Sequence, residues 1–111
     1  MTLRRVAVLG LLALSACGSG RRSEPLVGPV RLDTAEESRG ERAFFRFCHQ
    51  CHPGGDSGLG PALNNKPLPG AAIRLQVRTG IGNMPSINDD ELSDADLDAI
   101  VAYMGALRQA E

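Results

Sequence analysis

The chain contains few large aromatic side chains: its 111 residues include one tyrosine, three phenylalanines and no tryptophan. Glycine (13 residues) and proline (7 residues) are abundant instead. Such a composition indicates many loops, and a single domain of this length buries little apolar surface by itself. We therefore expect the fold to need a further stabilising element in addition to its hydrophobic core.

A large excess of charge of one sign is also lacking. The sequence has twelve lysines and arginines against thirteen aspartates and glutamates, and Lys66 is its only lysine. Loss of a leader that carries Arg4 and Arg5 would leave ten basic residues against thirteen acidic ones, a net charge of about −3. Nucleic-acid-binding domains are usually basic, so we expect no nucleic-acid partner.

The longest apolar stretch, from Val6 to Leu14, is too short to span a bilayer as a mature helix. Two arginines precede it and small residues follow it, which is the pattern of a secretory signal peptide. We therefore predict that residues 1–16 form a cleaved leader and that the protein is exported.

The leader ends in Leu14-Ser15-Ala16-Cys17, which resembles the bacterial lipoprotein box. The resemblance implies cleavage before Cys17, acylation of its thiol, and anchoring to a bacterial membrane, facing the periplasm or the cell exterior. The alternative is an ordinary signal peptide that is cut elsewhere, with an incidental cysteine. Residues 17–32 contain several helix breakers and no hydrophobic period, so we predict a flexible tether before a folded domain over residues 33–111.

The remaining two cysteines lie in the stretch Cys48-His49-Gln50-Cys51-His52, a pattern typical of covalent haem attachment. Cysteines three apart on a helical turn lie on one side of the backbone, so both thiols can reach the two vinyl groups of one porphyrin. His52 would then supply an imidazole nitrogen to the iron. With Cys17 acylated, no cysteine is left for a disulfide.

Two other readings of the cysteine pair are a redox dithiol and half of a zinc site. A zinc site needs further ligands, and the only other cysteine, Cys17, is far away in the sequence. A thioredoxin-like dithiol needs a strand before the motif. No alternating or β-branched run precedes Cys48.

Two later stretches supply candidate partners for the haem. In Gly60-Pro61-Ala62-Leu63, the carbonyl of Pro61 is a candidate to orient His52, since a metal-bound histidine usually donates its other N–H to an oxygen. Leu63 is a candidate for packing on the haem. Met84, in a glycine-rich loop before a proline, is the candidate sixth ligand, whereas Met104 belongs to a periodic apolar stripe.

Three helices are expected. A capping box at Thr34 predicts a helix to about Phe47, a shorter helix is predicted from Ala71 to about Thr79, and Ser93 resembles the cap of a third. We predict that the first and last helices cross, with Gly40 and Phe44 against Ile100 and Tyr103. Arg74 and Arg78 are candidates to pair with haem propionates or are solvated. His49 is expected to be exposed.

Residues 34–108 resemble the class I (mono-haem) c-type cytochromes of bacteria, on the motifs given above and in the family's order. The resemblance implies an all-α fold whose first and last helices cross, an enclosed haem c, axial ligation by His52 and Met84, and one-electron transfer between redox partner proteins. It implies a carrier and not an enzyme by itself.

The sequence departs from the family in two respects. Ser86 and Ile87 follow the Met-Pro pair where an aromatic residue is common, and a ring of lysines is excluded as a docking surface because Lys66 is the only lysine. The competing function is that of a haem protein with a labile methionine ligand, which would bind small molecules or act as a peroxidase.

Overall fold

Three α-helices follow one another along residues 28–110, the part of the chain that the computed structural model describes. We name them α1 (Ala35–Phe47), α2 (Gly70–Thr79) and α3 (Asp94–Gln109); a 3₁₀ turn, Pro53–Gly55, lies between the first two. Within these residues the only β-type pairing is one isolated bridge, and the predicted all-α fold is confirmed. The predicted leader, Cys17 and most of the tether lie outside the described residues.

Helix α1 begins where its sequence predicts. The hydroxyl of Thr34 accepts the N–H of Glu37 at 3.0 Å, and the Glu37 carboxylate accepts the N–H of Thr34 at 3.0 Å. This reciprocal capping box satisfies two N–H groups that would otherwise lack partners at the helix start. The helix ends at Cys48, whose N–H donates to the carbonyl of Phe44 at 2.8 Å.

Helices α1 and α3 pack closely across each other, as predicted. Gly40 is buried in the contact, where a methyl group on its α-carbon would overlap the carbonyl oxygen of Ala99 and lie 2.9 Å from the β-carbon of Tyr103. The rings of Phe44 and Tyr103 are 5.3 Å apart between centroids, and Phe44 is fully buried. Ile100 is buried in the same core.

Helix α3 contributes most of that core. Ser93 caps it by accepting the N–H of Asp96 at 3.1 Å. Its buried face recurs at helical spacing, which confirms the predicted stripe and includes Met104, 3% exposed. Helix α2 adds Ile73 and Val77 to the same core.

The packed domain begins earlier than the sequence predicts. Val30 and Leu32, assigned to the tether on composition, are partly buried against the hydrophobic core. Apolar residues this close to the α1 cap contribute to packing despite the neighbouring Gly28 and Pro29. Among residues 28–110, no helix is both long enough and apolar enough to cross a membrane.

Candidate cofactor site

The cysteine motif continues the last turn of α1. The carbonyl of Cys48 accepts the N–H of Cys51 at 3.2 Å and that of His52 at 2.9 Å, so the backbone keeps turning through the motif. Both cysteines are half-buried and neither forms a disulfide. Two free thiols and an imidazole therefore lie on consecutive turns at one end of α1.

His52 is held in a defined orientation. Its side chain is buried, and Nδ1 lies 2.7 Å from the carbonyl oxygen of Pro61, as the sequence led us to expect. A carbonyl only accepts hydrogen bonds, so Nδ1 carries the proton and donates it. In the neutral ring the lone pair is then on Nε2, which is the atom available to a metal.

The loop after the motif fits closely around this ring. A methyl group on Gly60 would overlap the imidazole of His52, so the backbone lies directly against it. The N–H of Gly60 donates to the carbonyl of Cys51 at 2.9 Å, and the N–H groups of Leu63 and Asn64 both donate to the carbonyl of Gly55, at 2.8 and 3.0 Å. These bonds give the glycine-rich loop a defined conformation despite its composition.

Leu63, the predicted haem-packing residue, is partly buried against the hydrophobic core. Its neighbour Ala62 is fully buried. The start of the loop lies against α3, since a methyl group on Gly55, the last residue of the 3₁₀ turn, would overlap the side chain of Leu107. The loop therefore joins the cysteine motif to the core.

Met84 lies on a tight turn after α2. Ile81 and Met84 exchange two backbone hydrogen bonds, of 3.1 and 2.9 Å. Gly80 permits the turn: its φ is +68°, and a side chain there would lie 2.6 Å from the carbonyl oxygen of Met84. The thioether of Met84 is half-buried, and its sulfur is 3.7 Å from the amide nitrogen Nε2 of Gln76.

The arginines of α2 bind groups of the protein. Arg78 donates to the carbonyl of Ile87 at 3.0 Å and pairs with Asp94 at 2.6 Å, and Arg74 pairs with Asp98 at 2.6 Å. The sequence left propionate pairing and a solvated surface open, and the exposed ion pair of Arg74 agrees with a solvated surface at that position. Arg78 instead connects α2, the end of the Met84 loop and the start of α3; its pairing with a haem propionate stays a prediction.

His49 differs from its expected exposure and is half-buried. Its ring stacks on Phe45 at 4.6 Å between centroids, and its Nδ1 accepts the N–H of Gly54 at 2.9 Å. The 3₁₀ turn folds back on the motif and brings Gly54 to the ring. That tertiary contact leaves no signal in the sequence.

The electrostatics of Cys48 disfavour a reactive thiol at that position. Burial, and secondarily the nearby Cys51, raise the pKa of the Cys48 thiol to about 11. Reactive cysteines need a lowered pKa, because the thiolate is the nucleophile. Among residues 28–110 there is no group of three or more His, Cys, Asp or Glu side chains placed to hold a metal ion.

These residues fit a covalently bound haem. Covalent attachment requires two thiols free of disulfide bonds, which Cys48 and Cys51 supply. Iron ligation requires an oriented imidazole with Nε2 available, and His52 is oriented by the Pro61 carbonyl and by the backbone at Gly60.

Comparison with known proteins gives the family. Residues 35–104 match the family model described as "Cytochrome C oxidase, cbb3-type, subunit III". This match covers more than half of the chain, which therefore belongs to that family of c-type cytochrome domains. Its cofactor is haem c, attached covalently, and its chemistry is that of a haem-based electron carrier.

One curated relative has a more specific name. The chain is 31% identical over 68 residues to the 4-cresol dehydrogenase (hydroxylating) cytochrome c subunit of Pseudomonas putida. The aligned region covers 61% of this chain and 59% of that protein, so the chain spans less than two thirds of the relative's length. No solved structure gives a significant match.

Proposed function

We propose that the chain is an exported, lipid-anchored one-electron carrier, with Cys48 and Cys51 bound to haem c as thioethers and with His52 and Met84 as axial ligands. Bound haem supplies the redox chemistry, since its iron accepts one electron and later passes it on. The observation that carries the proposal is the 2.7 Å contact between His52 Nδ1 and the Pro61 carbonyl.

The contacts of His52 suit it to ligation of iron. The Pro61 carbonyl selects the tautomer with the proton on Nδ1, and the backbone at Gly60 restricts rotation of the ring. A hydrogen bond from the far nitrogen also makes a ligating imidazole more basic. Cys48 and Cys51, which lie on the same turn, would hold the porphyrin edge next to this imidazole.

Met84 is the better of the two candidate methionine ligands. Its loop is held by the backbone bonds with Ile81 and presents a half-buried sulfur, while Met104 is buried on α3 in the hydrophobic core. A thioether is a neutral, soft donor, and a Met/His ligand pair raises the haem potential. If His52 and Met84 both bind the iron, the haem would take up electrons without binding a substrate.

The proposed assembly and location are supported by a relative and by the N-terminal sequence. The relative named above is the cytochrome subunit of a dehydrogenase, which supports a role for this chain as the electron-transfer component of a larger oxidoreductase. A lipid on Cys17 and a tether of about a dozen residues would keep the domain at high local concentration near membrane-bound partners.

The test is made on holoprotein from a bacterial host with haem-attachment machinery. We expect a haem that acidified organic solvent does not extract, and a low-spin spectrum that carbon monoxide does not change in the reduced state. Met84→Ala should give high-spin iron that binds carbon monoxide, and Met104→Leu should not. Extractable pigment would refute covalent attachment, while carbon monoxide binding by the unmodified protein would favour the labile-ligand function.

A further inference from the structure

Gln76 contacts the Met84 loop through its backbone and through its side chain. Its backbone carbonyl accepts the N–H of Gly80, where the loop leaves α2, at 2.8 Å. Its side-chain amide nitrogen lies 3.7 Å from the sulfur of Met84, within the range of an N–H···S hydrogen bond. The residue is half-buried, so solvent competes only partly for this amide.

We propose that Gln76 is a positioning residue that orients the Met84 thioether and sets how strongly it donates to iron. This inference rests on the proposed function, since it requires Met84 to be an axial ligand. A thioether sulfur has two lone pairs. If the amide of Gln76 binds one of them, the other is available to a metal.

The hydrogen bond also has an electronic effect with a definite sign. An N–H donor draws electron density from the sulfur, which weakens the sulfur as a donor. Ferric iron gains more than ferrous iron from a strong donor, so the bond disfavours the ferric state and raises the reduction potential. Hydrogen bonding around the ligands is one of the means by which proteins adjust haem potentials.

The contact is specific to one face of α2. Gln76 lies between Leu75, which is 65% exposed, and Val77, which is buried in the core. Both of these side chains are apolar, so neither offers a polar group to the sulfur. Arg78, two residues later, donates to Asp94 and to the carbonyl of Ile87. Gln76 is therefore the residue of α2 whose side chain bonds to the thioether.

The experiment is an equilibrium redox titration of holoprotein carrying Gln76→Leu, which keeps the side-chain size and removes the donor. We expect a shift of about threefold or more in the ferric-to-ferrous ratio at a fixed ambient potential, toward the ferric form. Threefold corresponds to about 28 mV for a one-electron couple, taking 59 mV per tenfold. Gln109→Leu, at an exposed glutamine of α3, is the matched control and should leave the ratio unchanged.

A second variant, Gln76→Glu, guards against failure of the leucine variant to fold. Its ionised carboxylate lacks a donor and adds negative charge near the sulfur, so it should also shift the ratio toward ferric iron. The near-red absorption of thioether-bound ferric haem should persist in both variants, which shows that the ligand is retained. Unchanged ratios in the Gln76 variants, with that absorption present, would overturn the inference alone.

Failure of the ligand assignment gives a different result. If Met84→Ala leaves the near-red absorption and the spin state of the iron unchanged, then Met84 is not the ligand. The proposed ligation and the role of Gln76 would then be wrong together. The two failures are therefore distinguished by the spectrum of the Met84 variant.

Discussion

The α-carbon of Gly40 lies against the carbonyl oxygen of Ala99, with no space between the two helices for a methyl group. This close approach fixes the crossing of α1 and α3, and it brings the Phe44 ring onto Tyr103. Because the cysteine motif continues the last turn of α1, the same crossing positions the cofactor site relative to the core.

Gly40→Ala should therefore destabilise the protein although alanine is the better helix former. The methyl group would force α1 away from α3, and overpacking of this kind costs about 1–3 kcal/mol. Thermal unfolding of the holoprotein measures the effect. The matched control is Gly105→Ala on α3, where an added methyl group meets nothing within 4 Å.

The control should stabilise the protein by up to about 1 kcal/mol, because alanine loses less entropy than glycine in a helix. A loss of stability in Gly40→Ala together with a gain in Gly105→Ala would show that the helix crossing, and not helix propensity, determines the effect at position 40. Equal melting temperatures for the Gly40 variant and the unmodified protein would contradict the close contact.

Gly60→Ala should affect His52 without changing any ligand. The added methyl group would overlap the imidazole, so either the ring rotates or the loop moves, and the hydrogen bond to Pro61 is strained in both cases. We expect a lower yield of holoprotein and a stability loss of about 1–3 kcal/mol. Gly28→Ala, at an open position, serves as the control. Normal yield and unchanged melting of the Gly60 variant would show that the backbone there does not restrain the ring.

The helices, and one contact of the cofactor site, could be predicted from local sequence patterns. The caps at Thr34 and Ser93 and the apolar stripe of α3 each depend on residues within a few positions of one another. The contact between His52 and Pro61 was predictable because a ligating imidazole requires an acceptor and a glycine-proline turn follows nearby. Local chemistry was enough for these elements.

Contacts between distant elements were not predictable in the same way. Arg78 reaches Asp94 and Ile87 only because α2 packs beside the start of α3, and no spacing in the sequence encodes that approach. The burial of His49 depends on a turn that folds back over the motif. The amide of Gln76 meets Met84 only once the loop has closed.

Cys17→Ser should abolish acylation of the protein. If the thiol accepts lipid, the unmodified protein partitions into detergent and its intact mass exceeds that of the polypeptide with haem. The serine variant has no thiol to accept lipid, so its intact mass should contain no lipid, whether or not the leader is cut. A mature unmodified protein with no added lipid mass, cut at another position, would instead support an ordinary signal peptide.

Arg78→Ala should destabilise the protein more than Arg74→Ala. Arg78 donates to the carbonyl of Ile87, a bond worth about 0.5–1.5 kcal/mol, in addition to its pair with Asp94, whose side chain is 85% exposed. Arg74 forms an exposed ion pair with Asp98, and pairs of this kind contribute at most about 1 kcal/mol.

Chemical denaturation of the two holoproteins measures the difference, and a redox titration separates the two roles of Arg78. If its guanidinium acts on the loop and on α3, Arg78→Ala should lower stability and increase exchange of the Met84 ligand with added imidazole. A lower potential with unchanged stability would contradict that role and support pairing with a haem propionate. Arg78→Lys separates the effect of the positive charge from that of the bridge, because lysine keeps the charge but cannot bridge Ile87 and Asp94 with a planar group.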